Sequence, residues 1–315
     1  MSEYSKQILG KQAQELGFVR DTFEKVCRLT DILKQFEHDP YLADQLAIKG
    51  GTAINLTVFN LPRLSVDIDL DFTQNIPREE MMESRAIITD SIKKYTAMDG
   101  YELSAKSKAY YSLDSFVFNY TNSGGIKDNI KIEVNYSLRS HVLPMEHRTI
   151  ETLGIFDNIA VNSLSVTEIF GSKIVALLSR AAARDLYDIN NMVFFGLFDD
   201  SQASLLKKIV VFYSAISSET PPESFDLKRI DGITKYKIKT DLLPVIRKKD
   251  DFDLAVAQKR VKAFLSELLM LDENEVAFLD AFRRKEYKPE LLFVNQPILS
   301  RIQNHPMALW KMQQT

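Results

Sequence analysis

Three aspartates at alternating positions, Asp67, Asp69 and Asp71, form the most chemically suggestive segment of this chain. Because successive side chains of a β-strand point to opposite faces, Asp67 and Asp69 are predicted to share one face, while Ile68 and Leu70 fill the other. Carboxylates held side by side repel each other, and a hard divalent cation with oxygen ligands compensates that repulsion. The alternation therefore predicts a magnesium site on this strand.

A glycine-rich turn precedes the acidic strand. Gly50, Gly51 and Thr52 stand between the apolar residues 46–48 and a helix predicted over residues 53–59. Backbone N–H groups at the start of a helix have no intrahelical partner and can bind an anion. The order of the two segments predicts a phosphate cradle beside a metal site, where a triphosphate and magnesium would meet.

Three further polar residues near these segments have open roles. Asn55 lies one turn into the predicted helix, where it either contacts a ribose or base or caps a packed surface, and we expect the contact. Asp71 is expected to be a solvated residue at the strand end. In residues 129–136 apolar and polar residues alternate, so Glu133 lies on the polar face of a later strand. It is either a third acidic site residue or a strand glutamate paired with a neighbouring lysine, and Asp128 is the weaker candidate.

These segments resemble the minimal nucleotidyltransferase signature of the DNA polymerase beta-like superfamily, a Gly-Gly or Gly-Ser turn opening a helix, followed by Asp-x-Asp on the next strand. The closer resemblance is to the AbiEii/AbiGii toxin family, in which a Lys-Gly-Gly-Thr-Ala turn precedes an Arg-x-Ser-x-Asp-Ile-Asp-Leu strand. This chain has the same turn at residues 49–53, then Arg63, Ser65 and the Asp-Ile-Asp-Leu segment 67–70.

A second element of the same family occurs farther along. The family pattern Lys-x-x-Ala-Leu-x-x-Arg-x-x-x-Arg-Asp-x-x-Asp matches Lys173, Ala176, Leu177, Arg180, Arg184, Asp185 and Asp188. In a single helix the charged positions form one stripe, which suits a polyphosphate or an RNA backbone. The alternative is a solvated helix face with an Arg184–Asp188 pair worth only ~0.3–0.5 kcal/mol.

The resemblance implies roles for the matched residues. The residues expected to be catalytic are Asp67, Asp69, Lys173 and Asp188. Two Mg²⁺ ions, for which Mn²⁺ is a possible substitute, are expected to bind to Asp67, Asp69 and Glu133. The nucleotide is expected to contact Gly50, Gly51, Thr52, Asn55, Lys173 and Arg180. An acceptor-binding or structural role is expected for Lys49, Arg63, Ser65, Arg184 and Asp185.

The function implied by the resemblance is that of the toxin in a bacterial toxin–antitoxin or phage-defence system, neutralised by a cognate antitoxin protein. It would be a nucleotidyltransferase that moves a nucleotide from a nucleoside triphosphate (NTP) to an acceptor, with release of pyrophosphate. By family analogy the acceptor is the 3′ end of tRNA. Nucleotidylation of a protein hydroxyl and a non-catalytic nucleotide-binding or interaction role are the alternatives.

Composition fits a cytoplasmic globular protein. The 315 residues are 45% hydrophobic, Cys27 is the single cysteine, and neither a signal segment nor an apolar run of membrane-spanning length is present. We expect a monomer. The formal net charge of -3 gives no global attraction for nucleic acid, so RNA binding requires a local basic face. Residues 228–249, with Tyr236 among lysines and arginines, could guide RNA, or could form a mixed solvated surface because acidic residues are interspersed.

Periodicity predicts the elements that position these residues. Strands are expected over residues 46–49, 65–72, 101–107, 115–120 and 129–136, and helices over the first forty residues, 51–59 and 78–98. Beyond residue 165 the pattern is helical, over 166–182, 184–194, 202–216, 253–271 and 275–283. The predicted fold is α/β (α+β): a polymerase beta-like nucleotidyltransferase sheet flanked by helices, followed by a mainly helical C-terminal domain. The domains are residues 1–155, the N-terminal helix with the catalytic domain, and 156–315, the helical domain.

Overall fold

The computed structural model describes residues 4–150 and 158–314. Two compact units divide the chain. The first unit consists of Met1–Arg139, Met145–Leu164 and Pro244–Asp250, and the second of Ser140–Pro144, Ser165–Leu243 and Asp251–Thr315. The predicted domain boundary between residues 155 and 156 lies outside the described residues.

The first unit combines an N-terminal helical layer with one β-sheet. Its helices are α1 (Lys6–Leu16), α2 (Arg20–His38), α3 (Pro40–Gln45), α4 (Gly50–Ala53), continued by a π-helical turn (Ile54–Val58), and α5 (Arg78–Met98). Its strands are β1 (Leu46–Ile48), β2 (Asp67–Phe72), β3 (Glu102–Leu103), β4 (Lys108–Ala109), β5 (Leu113–Thr121), β6 (Lys127–Asn135), β7 (Glu146–Ile150) and β8 (Ile159–Ser163).

The strands form a mixed sheet in the order β3-β5-β6-β2-β1-β8-β7, with β4 paired to β5. Strand β2 lies inside the sheet, parallel to β6 and antiparallel to β1. One face of β2 and β6 carries the apolar residues Ile68, Leu70, Ile130, Ile132 and Val134, which are buried. The polar residues of both strands therefore lie together on the opposite face.

Two features of this unit differ from the sequence prediction. The predicted N-terminal helix is two helices, because Gly17 ends α1 in the left-handed conformation with φ 81°. Strands β7 and β8 were not predicted: the last strand expected from the sequence covers residues 129–136. Instead, β8 pairs in parallel with β1 and antiparallel with β7, which extends the sheet.

The second unit is helical, as the sequence predicts. Its helices are α6 (Val166–Arg180), α7 (Ala183–Phe194), α8 (Asp200–Ser217), α9 (Lys228–Asp231), α10 (Lys235–Lys237), followed by a π-helical turn (Ile238–Leu242), α11 (Leu254–Leu268), α12 (Glu273–Arg283), a 3₁₀ turn (Pro289–Leu291), α13 (Gln296–Ile302) and α14 (Pro306–Gln313). The apolar faces of α6, α8 and α12 supply much of its core, including Phe170, Phe212 and Phe278. Across the described residues, no helix has the length and apolar character needed to cross a membrane.

Candidate active site

The candidate active site of the first unit is the polar face of β2 and β6. In the parallel register Asp67 pairs with Lys131, and Asp69 pairs with Glu133. Directly paired residues of neighbouring strands project to the same side, so the three carboxylates and the ammonium group share one face. All four side chains are half-buried. Strand pairing thus brings together the three residues predicted to bind metal.

The glycine turn lies against this acidic face. Gly50 has φ +64°, and a Cβ atom built there would lie 2.7 Å from Asp69 Oδ2. A Cβ atom on Gly51 would lie 2.7 Å from a guanidinium nitrogen of Arg63 and 3.1 Å from Ser65 Oγ. Gly50 is required for its left-handed conformation. Gly50 and Gly51 are both required because a side chain at either position would prevent the close approach of the turn to the strand.

The buried side chains of Thr52 and Asn55 stabilise the glycine turn through hydrogen bonds. The Thr52 hydroxyl donates to the backbone carbonyl of Asp67 and lies 3.1 Å from Ser65 Oγ. The Asn55 amide nitrogen donates to the Gly51 carbonyl at 2.7 Å. Both side chains are fully buried. The predicted nucleotide contact of Asn55 stays a prediction, and it would require this side chain to become accessible.

Lys49, Asp71 and Arg63 form structural contacts around the turn. Lys49 Nζ lies 2.5 Å from Asp71 Oδ1. Asp71 is only 1% exposed, so the expectation of a solvated strand-end residue was wrong: the lysine charge compensates its burial. Arg63 is also buried; it donates to the Leu64 carbonyl at 3.0 Å, and its backbone forms a bridge with Ile246.

Lys131 supplies positive charge at the acidic face. Its Nζ lies 2.7 Å from Glu133 Oε1. Burial acts to lower the pKa of Lys131, but the hydrogen bond to Glu133 and the charges of Asp67 and Asp69 outweigh it, so the pKa is raised. The pairing of Glu133 with a neighbouring lysine is confirmed. The register sets Glu133 beside Asp69, and its role as a third acidic site residue stays a prediction. Asp128 instead pairs with Lys25 at 2.8 Å.

The donor set of this face suits a magnesium ion. Asp67, Asp69 and Glu133 offer hard carboxylate oxygens, and Mg²⁺ in phosphate-transferring sites usually binds one or two carboxylates together with substrate phosphates and water. In the described parts of the chain no three His, Cys, Asp or Glu side chains are arranged to hold a metal ion by themselves. An ion bound there would need substrate and water to complete its coordination, and Glu133 would have to release Lys131 to bind it.

The second cluster of predicted residues lies in the second unit and spans a break between two helices. Ala181 adopts a left-handed conformation with φ 47° and ends α6, and α7 begins at Ala183. The predicted single-helix stripe was therefore wrong. The break places the buried Lys173 Nζ 3.1 Å from Asp185 Oδ1 and 3.2 Å from Asp188 Oδ2.

Asp185 is the centre of this second cluster. Its carboxylate also accepts from Arg180 Nε at 2.7 Å and from a terminal Arg180 nitrogen at 3.0 Å. Burial acts to raise the pKa of Asp185, but the charges of Lys173 and Arg180 outweigh it, so the pKa is lowered. Arg184 donates to the Asp241 carbonyl at 2.8 Å, and Asp188 pairs with Lys173, which differs from the alternative of an Arg184–Asp188 pair.

A cavity of about 710 Å³ lies between α5 and the strands β3–β5. Its lining includes Arg85, Asp114 and Phe116. Because Asp114 and Phe116 pair with Val134 and Ile132 of β6, they belong to the face of the sheet opposite the carboxylates. None of the predicted site residues lines this cavity.

The match to a known family covers most of the chain. The family described as "Nucleotidyl transferase AbiEii toxin, Type IV TA system" matches residues 31–285. The chain belongs to the AbiEii nucleotidyltransferase toxin family. Its fold is similar to that of MenT4, a nucleotidyltransferase toxin from Mycobacterium tuberculosis H37Rv, with a TM-score of 0.65 and 15% identity over 97% of this chain and 99% of that chain. Among curated proteins, none matches the sequence.

Membership of the AbiEii family confirms the predicted family, the mixed α/β fold and the enzyme class. This AbiEii toxin is a nucleotidyltransferase of a type IV toxin–antitoxin family, with a nucleoside triphosphate as substrate and an antitoxin as partner. The matched residues include the glycine turn, the acidic face and the Asp185 cluster. Sequence reasoning left Asp185 without a decided role, because only the helix break at Ala181 brings it to both Lys173 and Arg180.

Proposed function

We propose that this AbiEii toxin transfers a nucleotide from a nucleoside triphosphate to the 3′ end of tRNA, in a reaction that depends on divalent metal. The observation that carries the metal dependence is the register of β2 and β6, which sets Glu133 beside Asp69 on the face that also bears Asp67. Asp67, Asp69 and Glu133 are half-buried, and their carboxylate oxygens are ligands of the kind on which a divalent cation and a triphosphate can assemble.

The carboxylates would hold the metal, and the turn would hold the phosphates. Mg²⁺, or Mn²⁺ in its place, would supply charge neutralisation at the attacking and leaving oxygens when bound to Asp67, Asp69 and Glu133. The backbone N–H groups of Gly51 and Thr52 lie at the start of a helical segment, where donors lack helical partners. They are suited to the β- and γ-phosphates.

Bond changes in the proposed reaction are those of an in-line displacement. The 3′ hydroxyl oxygen of the acceptor forms a new bond to the α-phosphorus, the bond from that phosphorus to the bridging oxygen breaks, and pyrophosphate leaves with the electron pair. The hydroxyl proton passes to solvent. Because charge develops on both the entering and the leaving oxygen, a variant lacking Asp67 or Asp69 is expected to lose most of its activity.

For the second unit we propose a supporting role in nucleotide binding for Lys173 and Arg180, with Asp188 fixing Lys173. The support is chemical: Lys173 carries three donors, and two carboxylates hold its ammonium group in one orientation. Asp185 holds both cations, so it acts as a positioning residue. Replacement of Arg180 by glutamine is expected to raise KM for the triphosphate more than it lowers kcat.

One experiment tests both the identity of the acceptor and the role of Glu133 as the third carboxylate. The protein is incubated with magnesium and each α-labelled triphosphate, either with deproteinised total tRNA or with an RNA-free protein extract. Label on tRNA is expected with the wild-type protein and with Asp128→Asn, and little or none with Glu133→Gln. Asp128 is the matched control because it lies on the same strand but pairs with Lys25.

Each other outcome of this experiment has a distinct meaning. Label found only in the protein extract would show that the acceptor is a protein hydroxyl and not tRNA. Equal loss in Asp128→Asn and Glu133→Gln would remove the special role of Glu133. Label on neither acceptor with any triphosphate would contradict the proposed transfer.

A further inference from the structure

A group of exposed cations and one aromatic ring lies on the second unit, on two short helices and the turn that follows them. We call it the basic surface, and it consists of Arg229 on α9 with Lys235, Tyr236, Lys237 and Lys239 on α10 and its π-helical turn. All five side chains are exposed, and Tyr236 is 73% exposed. The ring of Tyr236 is therefore accessible to a ligand among these cations.

Two hydrogen bonds fix the basic surface against the junction of α6 and α7. A terminal guanidinium nitrogen of Arg229 donates to the Ser179 carbonyl at 2.5 Å. Arg184 Nε donates to the Asp241 carbonyl, which belongs to the π-helical turn, at 2.8 Å. Arg184 and the residue next to Arg180 therefore contact the segments that carry the basic surface.

Nearby carboxylates offset this charge only in part. Asp241, in the π-helical turn, is exposed and accepts from the Thr240 hydroxyl at 2.7 Å. Asp231 is paired with Lys262 at 2.6 Å. Asp226 accepts from the backbone N–H of Lys228 at 2.9 Å and keeps its negative charge, so the four cations of the basic surface outnumber Asp226 and Asp241. The chain as a whole has a formal net charge of -3, so the cations of the basic surface are concentrated locally rather than typical of the protein.

We propose that the basic surface binds the backbone of the acceptor RNA and that Tyr236 stacks on one of its unpaired bases. Lysine and arginine neutralise phosphates, and aromatic rings stack on bases regardless of sequence. An acidic protein is the less suitable ligand, because lysine is depleted from protein–protein interfaces and three of the five residues here are lysines. The proposal rests on the RNA acceptor of the proposed function.

The first test measures the affinity for deproteinised total tRNA across a series of salt concentrations, without triphosphate. The triple variant Lys235→Gln, Lys237→Gln, Lys239→Gln is expected to bind about tenfold or more weakly, with a salt slope smaller by about 2, since each lost phosphate contact removes ~0.7. The matched control Lys93→Gln, Lys94→Gln, Lys106→Gln removes the same charge from exposed lysines of the first unit and is expected to bind like the wild type.

The second test separates stacking from charge. Tyr236→Ala is expected to weaken tRNA binding about five- to 150-fold, within the range measured for base stacking, while Tyr236→Phe retains the affinity. Neither variant changes a charge, so the salt slope is expected to be unchanged in both. Equal affinity of Tyr236→Ala and wild type would overturn the stacking role.

The outcomes distinguish this inference from the proposed function. Wild-type tRNA binding that the triple lysine variant leaves intact would overturn the basic surface and leave nucleotidyl transfer to tRNA standing. Absence of tRNA binding by the wild-type protein would overturn the inference, and the labelling of tRNA or protein would then decide the acceptor separately. Displacement of tRNA from the basic surface by polyglutamate at equal charge concentration, without dependence on Tyr236, would assign the surface to an acidic protein instead.

Discussion

Replacement of Gly50 by alanine tests whether the glycine turn must approach the acidic strand for the enzyme to work. At φ +64° an alanine costs roughly 1 kcal/mol relative to glycine. Its Cβ atom would lie 2.7 Å from Asp69 Oδ2, whereas ordinary contacts begin at 3.4 Å, so the two groups must separate by 3.4 − 2.7 = 0.7 Å. Since a misplacement of about 1 Å can cost ~10²-fold in rate, we expect a loss of transfer of about ten- to a hundredfold.

Gly125 provides the matched control for this variant. Its φ of +79° imposes a similar backbone cost on alanine, but no atom lies within 4 Å of the added Cβ. Gly125→Ala is therefore expected to lower the unfolding temperature slightly, by about 2–4 °C for each kcal/mol lost, and to keep the wild-type rate of nucleotidyl transfer. Gly50→Ala is expected to lower both the unfolding temperature and the rate.

The assay compares initial rates of label transfer at saturating magnesium for the wild type and both alanine variants, after thermal unfolding has shown that all are folded. A Gly50→Ala protein with the wild-type rate would refute the argument that the turn positions Asp69. A Gly125→Ala protein that loses as much activity as Gly50→Ala would also refute it, because the cost would then lie in backbone strain and not in the contact.

Three further predictions concern the charged and buried groups. Lys131→Met removes the cation that pairs with Glu133, so Mn²⁺ is expected to bind more tightly in calorimetry, and weaker binding would contradict the view that Lys131 competes with metal. Asp185→Asn is expected to lower the unfolding temperature at pH 7, because it weakens the pairing of buried Lys173. Because the pKa of Asp185 is lowered in the folded state, the stabilisation is present above the unfolded-state pKa of about 3.9 and is lost as the pH falls through the folded-state pKa. The difference in unfolding temperature between variant and wild type should therefore shrink below about pH 4. A difference that stays constant with pH would contradict this. Burial raises the pKa of the Cys27 thiol, so thiol reagents should modify the native protein far more slowly than the unfolded one, and equal rates would show that the site is open.

Local patterns predicted the part of the fold that carries the acidic face. The alternation in β2 and β6 correctly assigned the faces of Asp67, Asp69 and Glu133, because a period of two is fixed by strand geometry alone. The pairing of β2 with β6 joins segments far apart in sequence, and only the structure gives the register that sets Glu133 beside Asp69. The family resemblance supplied the expectation that these residues belong together.

Conformations that contradict local propensity were not predicted. The periodicity placed a helix boundary near residue 183, but the charged stripe was drawn for a single helix. The left-handed conformation of Ala181, in a residue type that favours helix, was not predicted. The burial of Asp71 likewise depends on its pairing with Lys49, a residue of another segment. Strands β7 and β8 are short and gain their stability from pairing at the sheet edge, which a local pattern does not reveal.

Nucleotidyl transfer that depends on the carboxylates of β2 is tested most directly by comparing two positions of the label on the triphosphate. The protein is given magnesium, total tRNA and the same triphosphate labelled at either the α- or the γ-phosphate, with Asp69→Asn alongside. Label on tRNA is expected from the α-position only, and it is expected to be lost in Asp69→Asn and when the metal is chelated. Label from the γ-position, or undiminished α-label with Asp69→Asn, would contradict this expectation.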